Sequence, residues 1–315
     1  MKKVSLIGAG NIGGSLASII ANKNLANVML IDVVDGIPEG KALDISQGIT
    51  LTESSSKIEG STKLEKIKNS DVIIVTAGIA RKPGMSRDDL IETNLKIIET
   101  IGYAIKEYSP NAFVICITNP LDAMVWSLKT ISGLRKEMIV GMAGVLDSSR
   151  FRFFLASELG ISSTNINAMV LGGHGDTMVP LLKYTTINGI PILDLVAKGF
   201  ITKNKLDEII DRTRNGGGEI VKLMKNSSAF VAPATCAVEM AESFIKNQKK
   251  ILPCSTYLSG EYGYEDIFIG VPIIIGKDGV EKIIELQFEK DEAENFKKSA
   301  QAVSELTQKC KKILE

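Results

Sequence analysis

The sequence predicts an α/β protein in which a doubly wound parallel sheet is followed by a mixed α+β half. Three observations support this prediction. Short apolar runs alternate with helical patterns in the first half, a glycine-rich turn follows the first run, and the second half changes to hairpin signals and long helices. Strand–helix–strand alternation favours right-handed crossovers and therefore a parallel sheet. The predicted division is a domain over residues 1–145 and a second domain over residues 146–315.

The apolar runs of the first half have strand length and are nearly continuous in Val, Ile, Leu or Phe. Such runs are typical of strands that are covered on both faces. They lie at 4–7, 28–31, 72–76, 113–118 and 138–140, and the helical patterns between them lie near 13–23, 38–47, 87–107 and 121–131. We therefore expect one doubly wound unit here.

The second half has a different pattern. A helix is predicted over 148–159, a strand over 167–171, turns at 188–189 and 276–279, and long helices near 205–225, 229–246 and 290–313. The run Arg-Asn-Gly-Gly-Gly at 214–218 interrupts the first of these long helices, because three adjacent glycines are costly in a helix. Two explanations stay open: the backbone approaches another group closely at this point, or the run is a plain turn.

Composition excludes several classes of protein. The 315 residues, 44% of them hydrophobic, are enough for a large buried core, and 37 basic residues balance 37 acidic ones. This balance argues against a general nucleic-acid or anionic-membrane binder. Four scattered cysteines without a C-x-x-C pair argue against a disulfide framework or a zinc site. Glycines interrupt the apolar start and no run approaches the roughly 20 apolar residues that span a bilayer, so we expect a soluble cytoplasmic protein.

Residues 8–13, Gly-Ala-Gly-Asn-Ile-Gly, fit the pattern G-x-G-x-x-G directly after a predicted strand and at the start of a helix. In that context Gly8 permits a tight turn, Gly10 lets a pyrophosphate approach the backbone, and Gly13 permits close helix packing. The helix N-terminus offers free N–H groups to the phosphates. Asp32 ends the second strand. A carboxylate at this position accepts hydrogen bonds from the ribose hydroxyls and repels a 2′-phosphate. The pair predicts a Rossmann domain that binds NAD in preference to NADP; the alternative is a tight turn and a surface aspartate.

The only histidine, His174, lies between two glycines after a predicted strand. Asp147 lies 27 residues earlier, near the start of a predicted helix, and consecutive elements are usually neighbours. An aspartate that accepts the Nδ1–H proton would fix the tautomer, raise the pKa of the imidazole and leave Nε2 to exchange a proton with a substrate. The alternative is a structural imidazole. A metal site is not indicated, because the sequence has no second histidine. A serine-hydrolase triad is not indicated either, because there is no G-x-S-x-G turn.

Three arginines complete the predicted site. Arg81 and Arg87 lie on a loop after a parallel strand, at the sheet edge where α/β proteins bind ligands. Arg150 lies three residues after Asp147 and therefore on the same helix face. Because a guanidinium binds a carboxylate through two hydrogen bonds, these residues predict a keto-acid substrate and a loop that closes over it.

Together these residues resemble the lactate/malate dehydrogenase superfamily, and the closest likeness is to the lactate-dehydrogenase-like bacterial malate dehydrogenases. The motifs occur in the family's order and span nearly the whole chain. They are GAGNIG at 8–13, the strand ending in Asp32, TAG at 76–78, ARKPGMSR at 80–87, TNPLD at 118–122, GVLDSSR at 144–150 and GGHGD at 172–176.

The resemblance implies roles for individual residues. His174 would be the proton acceptor or donor and Asp147 its partner, Arg150 would hold the C1 carboxylate, and Arg87 would polarise the carbonyl oxygen. Asn119 would contact both the substrate oxygen and the nicotinamide, and its peptide bond to Pro120 is expected to be cis. The implied cofactor contacts are Gly8, Gly10, Asn11, Ile12, Gly13, Asp32, Thr76, Ala77, Gly78, Asn94, Ile117 and Asn119, with Ser227 as a weaker candidate.

Arg81 determines the predicted substrate. Lactate dehydrogenases typically have Gln at this loop position and malate dehydrogenases have Arg, which suits the second carboxylate of malate and oxaloacetate. The resemblance therefore implies an NAD-dependent malate dehydrogenase of the tricarboxylic acid cycle, without a metal. It also implies a homo-oligomer, with a tetramer favoured over a dimer. Two alternatives stay open: a lactate dehydrogenase, and an NAD-binding module without catalysis.

Overall fold

The computed structural model describes residues 1–79 and 87–315. Strands and helices alternate through the first half, as the sequence predicts. In chain order they are β1 (Lys3–Ile7), α1 (Asn11–Asn22), β2 (Asn27–Ile31), α2 (Ile37–Ile49), β3 (Ile58–Ser61), β4 (Val72–Val75), α3 (Arg87–Tyr108), β5 (Phe113–Cys116), α4 (Leu121–Ser132) and β6 (Ile139–Gly141).

The second half is a mixture of helices and short and long strands. It comprises α5 (Gly144–Leu159), β7 (Ile166–Asn167), β8 (Val170–Leu171), β9 (Val179–Pro180), β10 (Thr186–Ile187), β11 (Ile190–Pro191), α6 (Ile192–Ala197), α7 (Lys203–Met224), α8 (Val231–Ile245), β12 (Lys250–Ser259), β13 (Glu265–Gly276), β14 (Gly279–Ile283) and α9 (Lys290–Leu314). The two predicted turns join β10 to β11 and β13 to β14.

One nine-stranded sheet forms the centre of the molecule, in the order β14-β13-β12-β6-β5-β4-β1-β2-β3. The six strands from β3 to β6 are parallel and have the doubly wound order 3-2-1-4-5-6 of a Rossmann domain. The last three strands run antiparallel, and β12 joins β6 at the pair Ser255 and Gly141. The predicted fold class, a Rossmann half followed by an α+β half, is confirmed.

Several features differ from the sequence prediction. No strand was predicted at β3, a short edge strand, or over the long strands β12 and β13. The strand predicted over 167–171 is two short strands, and β7 and β8 belong to different small sheets. The glycine run at 214–218 is inside α7, which continues without a break, so a plain turn is wrong.

The apolar positions of the parallel strands fill cores on both faces of the sheet, as their continuous hydrophobicity predicts. A third cluster lies under α5, α6 and α7. All four cysteines are buried and free, so they behave as small apolar residues. Within the described ranges, no helix has the length and the apolar character that crossing a membrane would require.

Candidate active site

The glycine loop between β1 and α1 has the geometry of a phosphate cradle. Gly8 has a φ of +113°, and a Cβ atom there would lie 2.4 Å from Thr76 Oγ1, so the turn requires glycine. A Cβ atom at Gly13 would lie 1.9 Å from the Gly8 carbonyl oxygen, whereas one at Gly10 would meet no atom within 4 Å. The loop therefore packs tightly at its ends and leaves the backbone open at Gly10, where α1 begins.

Asp32 closes the same loop from the end of β2. Its Oδ2 accepts a hydrogen bond from the Ala9 N–H at 2.6 Å, and its Oδ1 accepts one from the Val34 N–H at 3.1 Å. The carboxylate is thus fixed beside the glycine loop, and Asp32 also lines the adjoining groove. This is the position at which a carboxylate can meet a ribose.

A groove of about 1230 Å³ runs along this edge of the sheet, and both halves of the chain line it. The second half contributes Gly218, Val221 and a segment from Lys225 to Phe230. Asn11 Nδ2 donates a hydrogen bond to Ser227 Oγ at 3.2 Å, which links the two walls. Of the predicted cofactor contacts, eight line the groove: Gly8, Gly10, Asn11, Ile12, Asp32, Thr76, Ala77 and Gly78.

Gly13, Asn94, Ile117 and Asn119 are not among the lining residues. The Asn94 side chain is buried, and its atoms are occupied by backbone groups. Its Oδ1 accepts from the Ile79 N–H at 2.8 Å, and its Nδ2 donates to the Asn119 carbonyl at 2.7 Å. In this structure Asn94 supports the segment around Ile79 and the exposed Asn119, and its predicted contact with the cofactor stays a prediction.

His174, Asp147 and Arg150 are brought together as the sequence predicts. His174 Nδ1 lies 2.9 Å from Asp147 Oδ2, and Arg150 Nη1 lies 3.3 Å from Asp147 Oδ1. The side chains of His174 and Arg150 are 13% and 14% exposed, and that of Asp147 is 2% exposed. Because α5 begins at Gly144, Asp147 is in its first turn and shares a helix face with Arg150. One buried carboxylate therefore holds both a titratable ring and a guanidinium.

This arrangement raises the pKa of His174 above its ordinary value of 6.5. Burial disfavours the charged ring, but the charge of Asp147 and its hydrogen bond to Nδ1 more than offset that effect, while Arg150 acts against it. A carboxylate partner also makes Nδ1 the donor, which leaves Nε2 free for proton exchange.

The three glycines of α7 explain how this cluster adjoins the groove. A Cβ atom at Gly216 would lie 3.3 Å from Arg150 Cδ, and one at Gly217 would lie 3.5 Å from Arg150 Nη2. Gly218, the next residue, lines the groove. Of the two explanations that the sequence left open, close backbone approach is therefore the one that the structure supports, and α7 borders both the cluster and the groove.

Sequence reasoning missed a second carboxylate beside the histidine. Asp122, in the first turn of α4, accepts a hydrogen bond from the His174 backbone N–H at 2.9 Å and another from Ser255 Oγ at 2.6 Å. Burial raises the pKa of Asp122 above its ordinary value, although both hydrogen bonds act in the opposite direction. The available signal was an acidic residue within the TNPLD motif, directly after the end of a parallel strand.

The remaining predicted residues have different outcomes. The Asn119–Pro120 peptide bond is cis, as predicted. Arg81 and the side chain of Arg87 lie outside the described residues, so their predicted positions stay predictions; Arg87 begins α3.

Comparison with known proteins supports the same interpretation. Residues 2–141 match the lactate/malate dehydrogenase NAD binding domain, and residues 144–315 match the lactate/malate dehydrogenase alpha/beta C-terminal domain. The malate dehydrogenase of Cryptosporidium parvum is 47% identical, with a TM-score of 0.96 over 99% of each chain. The lactate dehydrogenase of the same organism, solved with lactic acid and nicotinamide adenine dinucleotide, is 42% identical, with a TM-score of 0.95 over 98% of each chain.

The malate dehydrogenase of Picrophilus torridus, solved in its apo form, is 46% identical, with a TM-score of 0.95 over 99% of this chain and 98% of that one. Enzymes with both names are therefore similar to this chain over nearly its whole length. Because the two family domains together account for almost every residue, the chain belongs to the lactate/malate dehydrogenase family of NAD-dependent oxidoreductases.

Proposed function

We propose that this protein is an NAD-dependent malate dehydrogenase that interconverts (S)-malate and oxaloacetate. The observation that supports catalysis most directly is the Asp147 carboxylate, which bonds to the His174 ring at 2.9 Å and to Arg150 at 3.3 Å. A proton carrier and a carboxylate-binding group are thereby held on one buried anion. This pairing is what a 2-hydroxy acid requires, since its hydroxyl loses a proton beside its own carboxylate.

The glycine loop and Asp32 fit NAD. The open backbone at Gly10 and the N-terminus of α1 suit the diphosphate, and the Asp32 carboxylate suits an unphosphorylated ribose. When bound there, NAD⁺ would supply the acceptor for the hydride that leaves C2 of malate. The groove residues of both halves would hold the dinucleotide and exclude water from it.

His174 moves the proton. In malate oxidation, neutral Nε2 accepts the C2 hydroxyl proton as the C2–H bond breaks and the carbonyl forms. The imidazolium that results is stabilised by Asp147, whose hydrogen bond to Nδ1 also keeps the ring in one orientation. In oxaloacetate reduction the same proton returns to the substrate oxygen.

Three arginines would bind the substrate. Arg150 would hold the C1 carboxylate through two hydrogen bonds, and Arg87 would polarise the C2 oxygen. Arg81 would pair with the second carboxylate, which pyruvate lacks. Losing one partner of a buried charge pair costs about 2–5 kcal/mol, or roughly 30- to several-thousand-fold in kcat/KM.

The direct test is kcat/KM for oxaloacetate and for pyruvate, each with NADH and with NADPH, followed by the absorbance of the reduced nicotinamide. We expect oxaloacetate with NADH to be preferred, and Arg81→Gln to shift the preference toward pyruvate. Lys82→Gln, a change of charge at the next position, is the matched control and is expected to leave the preference as it is. An unchanged ratio of the two kcat/KM values in Arg81→Gln would show that Arg81 does not set the substrate preference, and a wild-type preference for pyruvate would contradict the malate assignment.

The second candidate is lactate dehydrogenase, because an enzyme of that name is 42% identical over 98% of this chain. A wild-type preference for pyruvate would favour it. A flat absorbance trace with both substrates, together with separately measured NADH binding, would instead favour a module without catalysis.

Several further expectations belong to the same proposal and stay predictions. They are the division into domains at residues 145 and 146, a homo-oligomer with a tetramer favoured over a dimer, a cytoplasmic location, and a place in the tricarboxylic acid cycle.

A further inference from the structure

Three consecutive backbone amides of the histidine loop, at 172–174, are each held by a different element. The Gly270 carbonyl of β13 accepts a hydrogen bond from the Gly172 N–H at 2.8 Å. The Ser299 hydroxyl of α9 accepts one from the Gly173 N–H at 2.8 Å. The Asp122 carboxylate of α4 accepts a hydrogen bond from the third amide, the His174 N–H, at 2.9 Å. Of these three partners, only Asp122 is ionisable, and only Asp122 comes from the first 145 residues.

Asp122 is only 5% exposed, and both of its oxygens accept hydrogen bonds. Oδ2 accepts the His174 N–H and Oδ1 accepts the hydroxyl of Ser255, a fully buried residue on β12. Burial raises the pKa of this carboxyl, but because each oxygen accepts from a donor, these contacts favour the ionised carboxylate. Its place in the first turn of α4 favours the same form, since a helix N-terminus stabilises negative charge.

We propose that Asp122 is a positioning residue for proton transfer, which fixes the backbone of His174 and places a second negative charge beside the imidazole. Of the described residues, the charged groups that act electrostatically on this ring are Asp147 and Arg150 from α5 and Asp122 from α4. Asp147 acts on the ring directly, and Asp122 acts through the peptide and through its field. The inference rests on the proposed role of His174 as the proton carrier.

Asp122 is close in the chain to Asn119, so its hydrogen bond to the His174 N–H also connects the histidine loop to that residue. Asp122 lies three residues after Asn119, which the resemblance places beside the substrate oxygen and the nicotinamide. The same turn of chain therefore positions a predicted substrate contact and the histidine backbone. A hydrogen bond to a charged group contributes more than a neutral one, so Asp122 holds the loop more strongly than the two neutral partners do.

The single histidine makes the test direct. In protein labelled with ¹³C-histidine, one imidazole signal reports the titration of His174 without assignment, and it does so in the absence of substrate. Asp122→Asn removes the charge but retains the geometry, because the amide oxygen accepts from the His174 N–H and the amide nitrogen donates to Ser255. We expect the pKa of the imidazole to be lower in this variant than in wild type, and lower still in Asp147→Asn.

Kinetics supply the second readout. We expect Asp122→Ala, which also loses the backbone contact, to lower kcat for the preferred 2-oxo acid by about 10- to 100-fold, the loss that corresponds to one hydrogen bond to a charged group. The Kd for NADH is expected to stay at the wild-type value. If Asp122→Ala does not fold, Asp122→Asn decides the question by the titration and by the pH profile of kcat/KM.

Ser127→Ala is the matched control, since Ser127 is a buried polar residue of the same helix that bonds to the Ala123 carbonyl at 2.8 Å. It is expected to leave the imidazole titration unchanged. A wild-type titration in Asp122→Asn, or an equal shift in Ser127→Ala, would overturn the inference. If wild-type protein reduced neither oxaloacetate nor pyruvate, the proposed function would fail, whereas the titration would still report the effect of Asp122 on the ring.

Discussion

Asp147 bonds to two side chains, and it affects the orientation of both and the protonation of one. Its two oxygens are divided between the imidazole Nδ1 of His174 and the guanidinium of Arg150, and its own side chain is almost completely buried. Removing either partner would leave part of a buried carboxylate without compensation, which is costly. The three groups therefore behave as one unit, and the protonation of the ring depends on the carboxylate.

The pH dependence of the two directions follows from the raised pKa of His174. Malate oxidation needs the neutral ring, so kcat/KM for malate is expected to rise with pH and to level off above that pKa. Oxaloacetate reduction needs the imidazolium, so its kcat/KM is expected to fall over the same range. Asp147→Asn removes the charge that raises the pKa, and the acidic limb of malate oxidation is therefore expected to move to lower pH.

Asp211→Asn is a suitable control for this profile, because Asp211 is an exposed carboxylate that pairs with Arg214 on the surface of α7. It is expected to leave both limbs in place. An acidic limb in Asp147→Asn that coincides with the wild-type limb would contradict the assignment of the limb to His174.

At the scale of single residues, sequence reasoning succeeded for residues in one helix or in consecutive elements and failed for contacts between more distant parts of the chain. The Asp147–Arg150 pair follows from the geometry of one helix turn. The contacts of Asp122 with His174 and of Asn11 with Ser227 join residues 52 and 216 positions apart, and only tertiary packing brings them together. The hydrogen bonds of the Asn94 amide to the Ile79 and Asn119 backbone likewise depend on tertiary packing and were not predicted.

At the scale of elements, the strands and helices of the first half were predictable because buried parallel strands are uniformly apolar. Helix α7 was not fully predictable, because three glycines oppose helix formation locally. Packing against Arg150 explains one of them, since at Gly216 a side chain would crowd the Arg150 stem at 3.3 Å. The helix therefore contains residues of low helix propensity at the point where it packs close to the site.

Gly216→Ala tests this trade between stability and activity. Alanine favours a helix by about 1 kcal/mol over glycine, so the free energy of unfolding is expected to stay level or rise. The added Cβ would push Arg150 by a few tenths of an ångström, and since a misplacement of about 1 Å can cost about 100-fold, we expect kcat/KM for the 2-oxo acid to fall by roughly 2- to 10-fold. The KM for NADH is expected to be unchanged.

Gly40→Ala provides the control for this substitution, because Gly40 is an exposed position of α2 at which a Cβ atom would meet nothing within 4 Å. That variant is expected to gain stability without any kinetic change. Wild-type kcat/KM in Gly216→Ala would show that the closeness of α7 to Arg150 has no bearing on catalysis.

At the scale of the molecule, the halves are joined more intimately than the change of sequence pattern at residue 145 indicates. The sheet continues from β6 into β12, and one core cluster includes Val4 and Leu30 as well as Val271 and Ile273. The Phe113 ring stacks on Phe244 with centroids 4.6 Å apart. The sequence could not predict this junction, since the pairing of β6 with β12 depends on a contact between residues far apart in the chain.

A shared core predicts that both halves unfold in one cooperative transition. Phe113→Leu changes a fully buried ring of the first half and is expected to lower the free energy of unfolding by on the order of 1 kcal/mol. If the halves are coupled, thermal scans by far- and near-ultraviolet circular dichroism at one protein concentration should show a single midpoint, which moves down as a unit. NADH at 100 times its Kd should move that midpoint up, since it adds about 2.7 kcal/mol to the native state.

Phe153→Leu, which alters an exposed ring of α5, is the matched control and is expected to change the free energy of unfolding by no more than about 0.5 kcal/mol. Two resolved transitions, of which Phe113→Leu moves only one, would mean that the sheet junction does not couple the halves. A single displaced midpoint would instead mean that the two halves unfold together. Since both halves line the cofactor groove, the loss of packing between Phe113 and Phe244 would then destabilise both of its walls.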